Sequence, residues 1–357
     1  MSVSLAKASW IVCWCWLNME VLIHGWVVDL PLLGLFAVIA VALFILAKGA
    51  DVLVEEAVTL SVHWGVPKVL IGATVVSLGT TLPEAAVSVV AALSGNPGLA
   101  LGNAVGSVIT DCGLILGIAA MIAPLPIHRE VVSRQGWIQV GAGVALVLFT
   151  FPWGSPGTAL SLGGHFSQGA GILFMFGLVA YLYLSIQWGR KGRDTGPVEA
   201  IEARDESNLR TIGMLFMGIA LVIGASQVLI PTVEVAAGRL GVPDAVIAAT
   251  LVALGTSLPE LVTAVSAVRK GHGELAIGNV IGADILNVLF VAGLSAAVTT
   301  GGLAADPRFF RLLFPAMLVL LITFRISVSG GRTQLGRRFG ILMLTIYGSA
   351  TVLSYFV

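Results

Sequence analysis

Two glutamates, Glu84 and Glu260, stand inside long apolar stretches at equivalent places in a repeated motif, GTTLPE ending on the first and GTSLPE on the second. An ionised carboxylate at the centre of a membrane helix costs at least ~2.5 to 3.5 kcal/mol, so something must compensate it. No Lys or Arg lies within the same stretches to do so; Lys68, Arg269 and Lys270 stand only at their ends. A bound cation is the natural partner. Pro83 and Pro259 carry no amide proton, so each frees the carbonyl four residues earlier, at Gly79 and Gly255, and kinks or unwinds its helix there. Thr80, Thr81, Thr256 and Ser257 add hydroxyls beside the break. Carboxylate, carbonyl and hydroxyl oxygens together suit hard cations such as calcium and sodium. The motif holds no imidazole or thiolate, which argues against zinc or copper.

A second motif follows each glutamate. GNAVGSVITD supplies Asn103, Ser107 and Asp111; GNVIGADILN supplies Asn279, Asp284 and Asn287. Asn103, Ser107 and Asp111 are four apart and can line one helical stripe, while Gly102, Gly106, Gly278 and Gly282 allow close helix approach. Asp284 is expected to point away from the Asn287 face and ranks second. The five histidines fall near span ends and receive no role.

The two sets of motifs lie 176 residues apart, from Glu84 to Glu260, and align without a gap from GVPKVLIGATVVSLGTTLPE against GVPDAVIAATLVALGTSLPE onwards. The chain of 357 residues is 57% hydrophobic and 11% charged, with a mean hydropathy of +0.99. A soluble domain carries roughly 25% charged residues, so the solvent of this chain is a lipid bilayer. About ten spans are expected, centred near residues 40, 80, 110, 145, 178, 222, 256, 286, 316 and 346. Residues 29–188 form a first five-helix half with a repeat over about 65–117. Residues 189–211 form a polar linker, and 212–357 a second half with a repeat over about 241–293. Residues 1–28, rich in Trp, read as an interfacial segment or a misassigned start. Asp51, Glu55 and Glu56, near the end of the first span, read as a solvated helix end.

Five spans per half is an odd number, so the second repeat enters the membrane from the opposite side. The fold expected is an all-α membrane protein of two inverted five-helix repeats, an architecture of secondary transporters. Fifteen of the nineteen Lys and Arg fall on the linker's side; Lys7, Arg239, Arg308 and Arg311 fall on the other. The linker is thus expected in the cytoplasm and both termini outside. The net charge is zero and the basic residues are scattered, which excludes a nucleic-acid partner; no obligate protein partner is evident. No HExxH, GxSxG or phosphate loop supports an enzyme. A passive channel would want a symmetric pore from several subunits or repeats.

Together GTTLPE with GNAVGSVITD, and GTSLPE with GNVIGADILN, resemble the two alpha repeats of the sodium/calcium exchanger family, in the cation/calcium exchanger superfamily. The resemblance covers most of the chain from about Leu30 to Val357. It implies a ten-helix antiporter of a prokaryotic inner membrane, in which Glu84 and Glu260 bind calcium and sodium in alternation, near three sodium ions per calcium, without a cofactor. Thr80, Thr256, Ser257, Ser107, Asp111 and Asn287 would complete the ion sites. A proton-coupled divalent cation antiporter and a potassium-dependent exchanger are the alternatives. Two departures stand out. Ala283 replaces the usual serine after the second GNxxG, and Asp111 and Asn287 stand where archaeal exchangers carry Asn and Asp, so one carboxylate has changed halves.

Overall fold

The computed structural model describes residues 23, 25–192, 207–240, 255–329, 332–354 and 356, with the side chains of 189–192 left out. Expectations for residues 1–22 and for most of the linker lie outside these, as does the first part of the seventh span.

The helices follow from apolar runs punctuated by Gly and Pro. In chain order they are α1 (Leu32–Trp64), α2 (Lys68–Thr80), α3 (Leu82–Leu93), α4 (Pro97–Ile122), α5 (Arg129–Thr150), α6 (Gln168–Gly192), α7 (Asn208–Arg239), α8 (Leu258–Arg269), α9 (Gly273–Val298), α10 (Phe309–Ser329) and α11 (Arg337–Leu353). Helices α2 and α3 are one span, bent by 43° at Thr81. Pro83 sits in the first turn of α3, where its missing amide breaks the hydrogen-bond ladder from α2. Pro259 takes the equivalent place in α8, after Thr256 and Ser257. Among the described residues seven helices are long and apolar enough to cross a membrane, eight with the bent pair. The remaining two spans are α8, described only from its second part, and the 17-residue α11. The fold is ten spans in two inverted five-helix repeats.

Two short antiparallel ribbons report the inversion. β1 (Leu125–Pro126) pairs with β4 (Gln334–Leu335), and β2 (Gly164–Phe166) with β3 (Leu303–Ala305). β1 and β2 flank the 22-residue α5, so the ribbons are separated by about 33 Å, a bilayer's hydrocarbon thickness. In sequence, the loop holding β1 is the repeat equivalent of the loop holding β3. These equivalent loops belong to different ribbons and hence to opposite ends of the bundle.

Helices α4 and α9 form the centre. Of the most apolar 18-residue stretch in each, 72% of α4 and 89% of α9 is buried in protein, against 22% for α1 and 33% for α6. Leu33, Phe44, Phe176 and Phe216 on the outer helices are exposed, which is the state of a lipid-facing side chain. The approach of α9 to α2 is extreme. A Cβ on Gly278 would lie 2.0 Å from the Val69 carbonyl oxygen, and one on Gly282 2.4 Å from Ser77 Oγ. Here GNVIG does what small residues do between membrane helices, letting backbones touch.

One expectation is corrected. The first span is not centred near residue 40: α1 runs unbroken for 33 residues, about 50 Å, well beyond the ~30 Å hydrocarbon layer, and of its acidic turns Glu55 stays exposed while Glu56 is buried. Its extra turns pack against the start of the second repeat. Asp51 accepts a hydrogen bond from Ser266 (2.8 Å) and, with Glu55, pairs with Lys270, while Glu56 is buried. On the same side Lys68 pairs with Glu274 (3.5 Å). At the opposite end Arg239 donates to the Val28 and Leu30 carbonyls, and Arg311 to the Leu160 carbonyl (2.8 Å).

The α2–α9 contact leaves no room for a side chain at Gly278. Gly278→Ala should lower the melting temperature in detergent markedly, in line with the ~1 to 3 kcal/mol or more that overpacking costs. Gly98→Ala, whose Cβ would meet only the Ala304 oxygen at an ordinary 3.7 Å, should not. Thermal unfolding of the purified variants checks both.

Candidate functional site

The break between α2 and α3 and the amino-terminal end of α8 bring their hydroxyls to the centre of the bundle, and the second motifs on α4 and α9 meet them there. Glu84 is 0% exposed in the first turn of α3, and Glu260 is 0% exposed in the first turn of α8. Helix N-termini carry partial positive charge and unpaired amides, which favours a carboxylate at both places.

Contacts across the repeats obey the 176-residue relation. Thr80 donates to Asn279 Oδ1 (3.5 Å), and the equivalent Thr256 donates to Asn103 Oδ1 (3.2 Å). The end of α2 and the start of α8 are thereby each tied to the central helix of the other half. Asn287 Nδ2 donates to Asp111 Oδ2 (3.2 Å). Those two residues are each other's repeat equivalents, so the pseudo-two-fold axis passes between them. Thr81 donates to Glu260 Oε1 (3.4 Å), and its equivalent Ser257 lies beside the carboxylates of Glu84 and Asp111. Glu84, Glu260 and Asp111 are near enough to interact electrostatically with one another.

The chain also relaxes its helical winding at the axis. A π-helical turn begins at Asp111 (Asp111–Ile115) and another at Asn287 (Asn287–Ala292). Such turns are frequent at functional sites because the extra residue re-aims side chains and loosens backbone carbonyls. A further π-helical turn, Gly72–Val76, lies in α2, where Tyr181 of α6 donates to the Ala73 carbonyl (2.7 Å).

Several oxygens at this centre have no hydrogen-bond partner among the described residues: both of Glu84, Glu260 Oε2, Asp111 Oδ1, Asn287 Oδ1, Ser107 Oγ and Ser257 Oγ. Every one of those side chains is at most 2% exposed. Buried polar atoms are ordinarily satisfied, so this cluster of acceptors marks a candidate site for a cation. Among the described residues no three His, Cys, Asp or Glu side chains alone converge to hold a metal ion. Hydroxyl, amide and backbone oxygens, the neutral donors that hard cations take alongside carboxylates, lie beside Glu84, Glu260 and Asp111.

Of the residues singled out in the sequence, Glu84, Glu260, Asp111, Asn287, Thr80, Thr81, Thr256, Ser257, Asn103 and Asn279 come together, with Ser107 buried and unpartnered on α4. Gly79 and Gly255 are buried at the breaks. Gly79 packs under Ile219, and Gly255 under Ile230, both of α7. Asp284 is separate: it turns to Gln139 of α5 and to the Cys112 thiol (2.9 Å). Sequence reasoning missed Ser88, which accepts from Asn103 Nδ2 (2.9 Å). Its position one helical turn after Glu84 was the available signal. It also missed Gln139, one of two buried amides, with Gln135, on α5.

Comparison with known proteins follows this geometry. A family model described as "Sodium/calcium exchanger protein" matches residues 34–187 and 210–356. The chain is 34% identical over 313 residues to the inner membrane protein YrbG of Escherichia coli, covering 86% of this chain and 92% of that protein. It is 29% identical over 348 residues to the sodium/calcium exchanger MaX1 of Methanosarcina acetivorans, covering 90% and 99%. A solved structure of the sodium-calcium exchanger NCX_Mj, soaked with 2.5 mM Na+ and 10 mM Sr2+, is similar with a TM-score of 0.75 at 25% identity, covering 90% of this chain and 99% of that one.

The unsatisfied acceptors lead to a stability prediction. Calcium at a hundred times its dissociation constant should stabilise the purified protein by about 2.7 kcal/mol, seen as a rise in melting temperature. Glu84→Gln and Glu260→Gln should each abolish the rise, and Thr81→Ala should reduce it.

Proposed function

The chain belongs to the sodium/calcium exchanger family, and from that premise we propose how its own residues carry out sodium/calcium antiport across the membrane. The observation that carries the reading is the pair of buried, repeat-equivalent glutamates with unsatisfied oxygens in the first turns of α3 and α8.

Calcium and sodium are the transported substrates. Glu84 and Glu260 bind them, and Asp111 supplies the third carboxylate. Thr80, Thr81, Thr256, Ser257, Ser107, Asn103, Asn279 and Asn287, with the Gly79 and Gly255 carbonyls, provide or orient the neutral oxygens. The two ions use the same carboxylates, so one must leave before the other is fully bound. An empty site would bury uncompensated carboxylates at several kcal/mol, which disfavours its passage from one side to the other and couples the two fluxes. Alternating access follows from the inverted repeats, whose two similar halves can exchange conformations around a site on their axis. The move of the third carboxylate from the second half to the first keeps the charge of the site and reverses its asymmetry. Neither proton coupling nor potassium co-transport is favoured.

The excess of Lys and Arg beside the linker supports a cytoplasmic linker with both termini outside. The description of YrbG as an inner membrane protein supports a prokaryotic inner membrane as the location.

Proteoliposomes preloaded with sodium should take up radiolabelled calcium only while an outward sodium gradient lasts. Glu84→Gln should reduce uptake at least a hundredfold; uptake that follows a proton gradient without sodium would assign the protein to proton coupling. For orientation, alkaline phosphatase fused after Val357 should be active in a bacterial host, and an inactive fusion would reverse the assigned topology.

A further inference from the structure

A fourth membrane-buried carboxylate lies beside the exchange site and is not used by it. Asp284 is 1% exposed on α9, and its repeat equivalent is Val108, so the inverted symmetry gives it no counterpart. Its Oδ2 accepts hydrogen bonds from the Cys112 thiol (2.9 Å) and from the Gln139 amide, which also donates to the Cys112 sulfur (3.4 Å). Its Oδ1 and Gln139 Oε1 are buried with no hydrogen-bond partner among the described residues. Gln135, one turn earlier on the same face of α5, is 0% exposed and neither of its amide atoms is partnered there.

Two neutral donors offset only part of the cost of a carboxylate at this depth, and no Lys or Arg among the described residues pairs with it. Glutamine amides answer such a need in either sense. A half-turn of the Gln139 amide places Oε1 where Nε2 now stands, turning a donor into a ligand. The cluster can then offer one carboxylate and one or two amide oxygens. That set matches a single positive charge; a divalent ion would demand six to eight oxygens and more negative charge.

We propose that Asp284, Gln139 and Gln135 form a second site, between α5 and α9, for a small monovalent cation. Its occupancy bears on exchange through Asp284's electrostatic interaction with Asp111: neutralising Asp284 lowers the negative potential there and weakens divalent binding. That consequence rests on the exchanger reading; the site itself does not.

The test counts 22Na+, or 86Rb+ as a probe for potassium, retained at saturation by the purified full-length protein without calcium at fixed pH. Asp284→Asn should retain one ion fewer per chain than wild type, and whichever isotope shows the loss identifies the cation. Gln139→Leu, which keeps the carboxylate, should hold the same ion at least tenfold more weakly, and it decides the matter should Asp284→Asn fail to fold. Equal retention of both isotopes by wild type and variant, as a carboxyl holding a proton would give, overturns the proposal. Absence of sodium-driven calcium uptake in the wild type would instead sink the exchanger reading and leave the ion count to stand or fall alone.

Discussion

A carboxylate in a hydrocarbon-thick layer of protein has to find a positive charge, and among the described residues no Lys or Arg supplies one at the centre. Lys68 and Lys270 are engaged at the linker-side ends of the helices, with Glu274 and with Asp51 and Glu55. On the proposed reading, Glu84, Glu260 and Asp111 are left to a mobile counter-ion. The surrounding features serve that condition. Proline-broken helices put their N-termini at the glutamates, threonines and serines crowd the breaks, and the glycines of α9 bring its backbone against α2, closing the interior to lipid.

The inverted repeat turns one such arrangement into two that face each other. Thr80 with Asn279 and Thr256 with Asn103 are the same contact made twice, each crossing from one half to the other. Asp111 and Asn287 are the exception that symmetry requires, since residues on the axis meet their own equivalents. One can be acidic and the other neutral without disturbing the pairing: an amide donates to a carboxylate. This gives a physical reason why the third carboxylate can change halves while the fold stays the same.

Much of this was legible in the sequence because it is local or repeated. The breaks at Pro83 and Pro259, the hydroxyls beside them and the odd number of spans per half could all be read from spacing. Partners across space could not. The three-residue spacing in GADILN already turns Asp284 away from the Asn287 face, but it does not name Gln139 and Cys112 as the partners of the one or Asp111 as the partner of the other. The length of α1 was also hidden. Its charged turns look like an end by hydropathy, whereas in the fold Leu53, Val54, Ala57 and Leu60 of those turns are buried and Asp51 and Glu55 meet Ser266 and Lys270. The Tyr181 bond to Ala73 joins residues far apart in sequence and left no local trace.

The central claim is that a transported cation is the counter-charge of Glu84 and Glu260. An experimental structure of the protein soaked with strontium in low sodium tests it most directly, through the anomalous signal of the ion. The account predicts one strong peak with oxygens of both glutamates as ligands at calcium-like distances of about 2.3 to 2.6 Å, lost when sodium is raised. A strontium peak elsewhere, or a site in which the two glutamates contact each other with no ion between them, would contradict it.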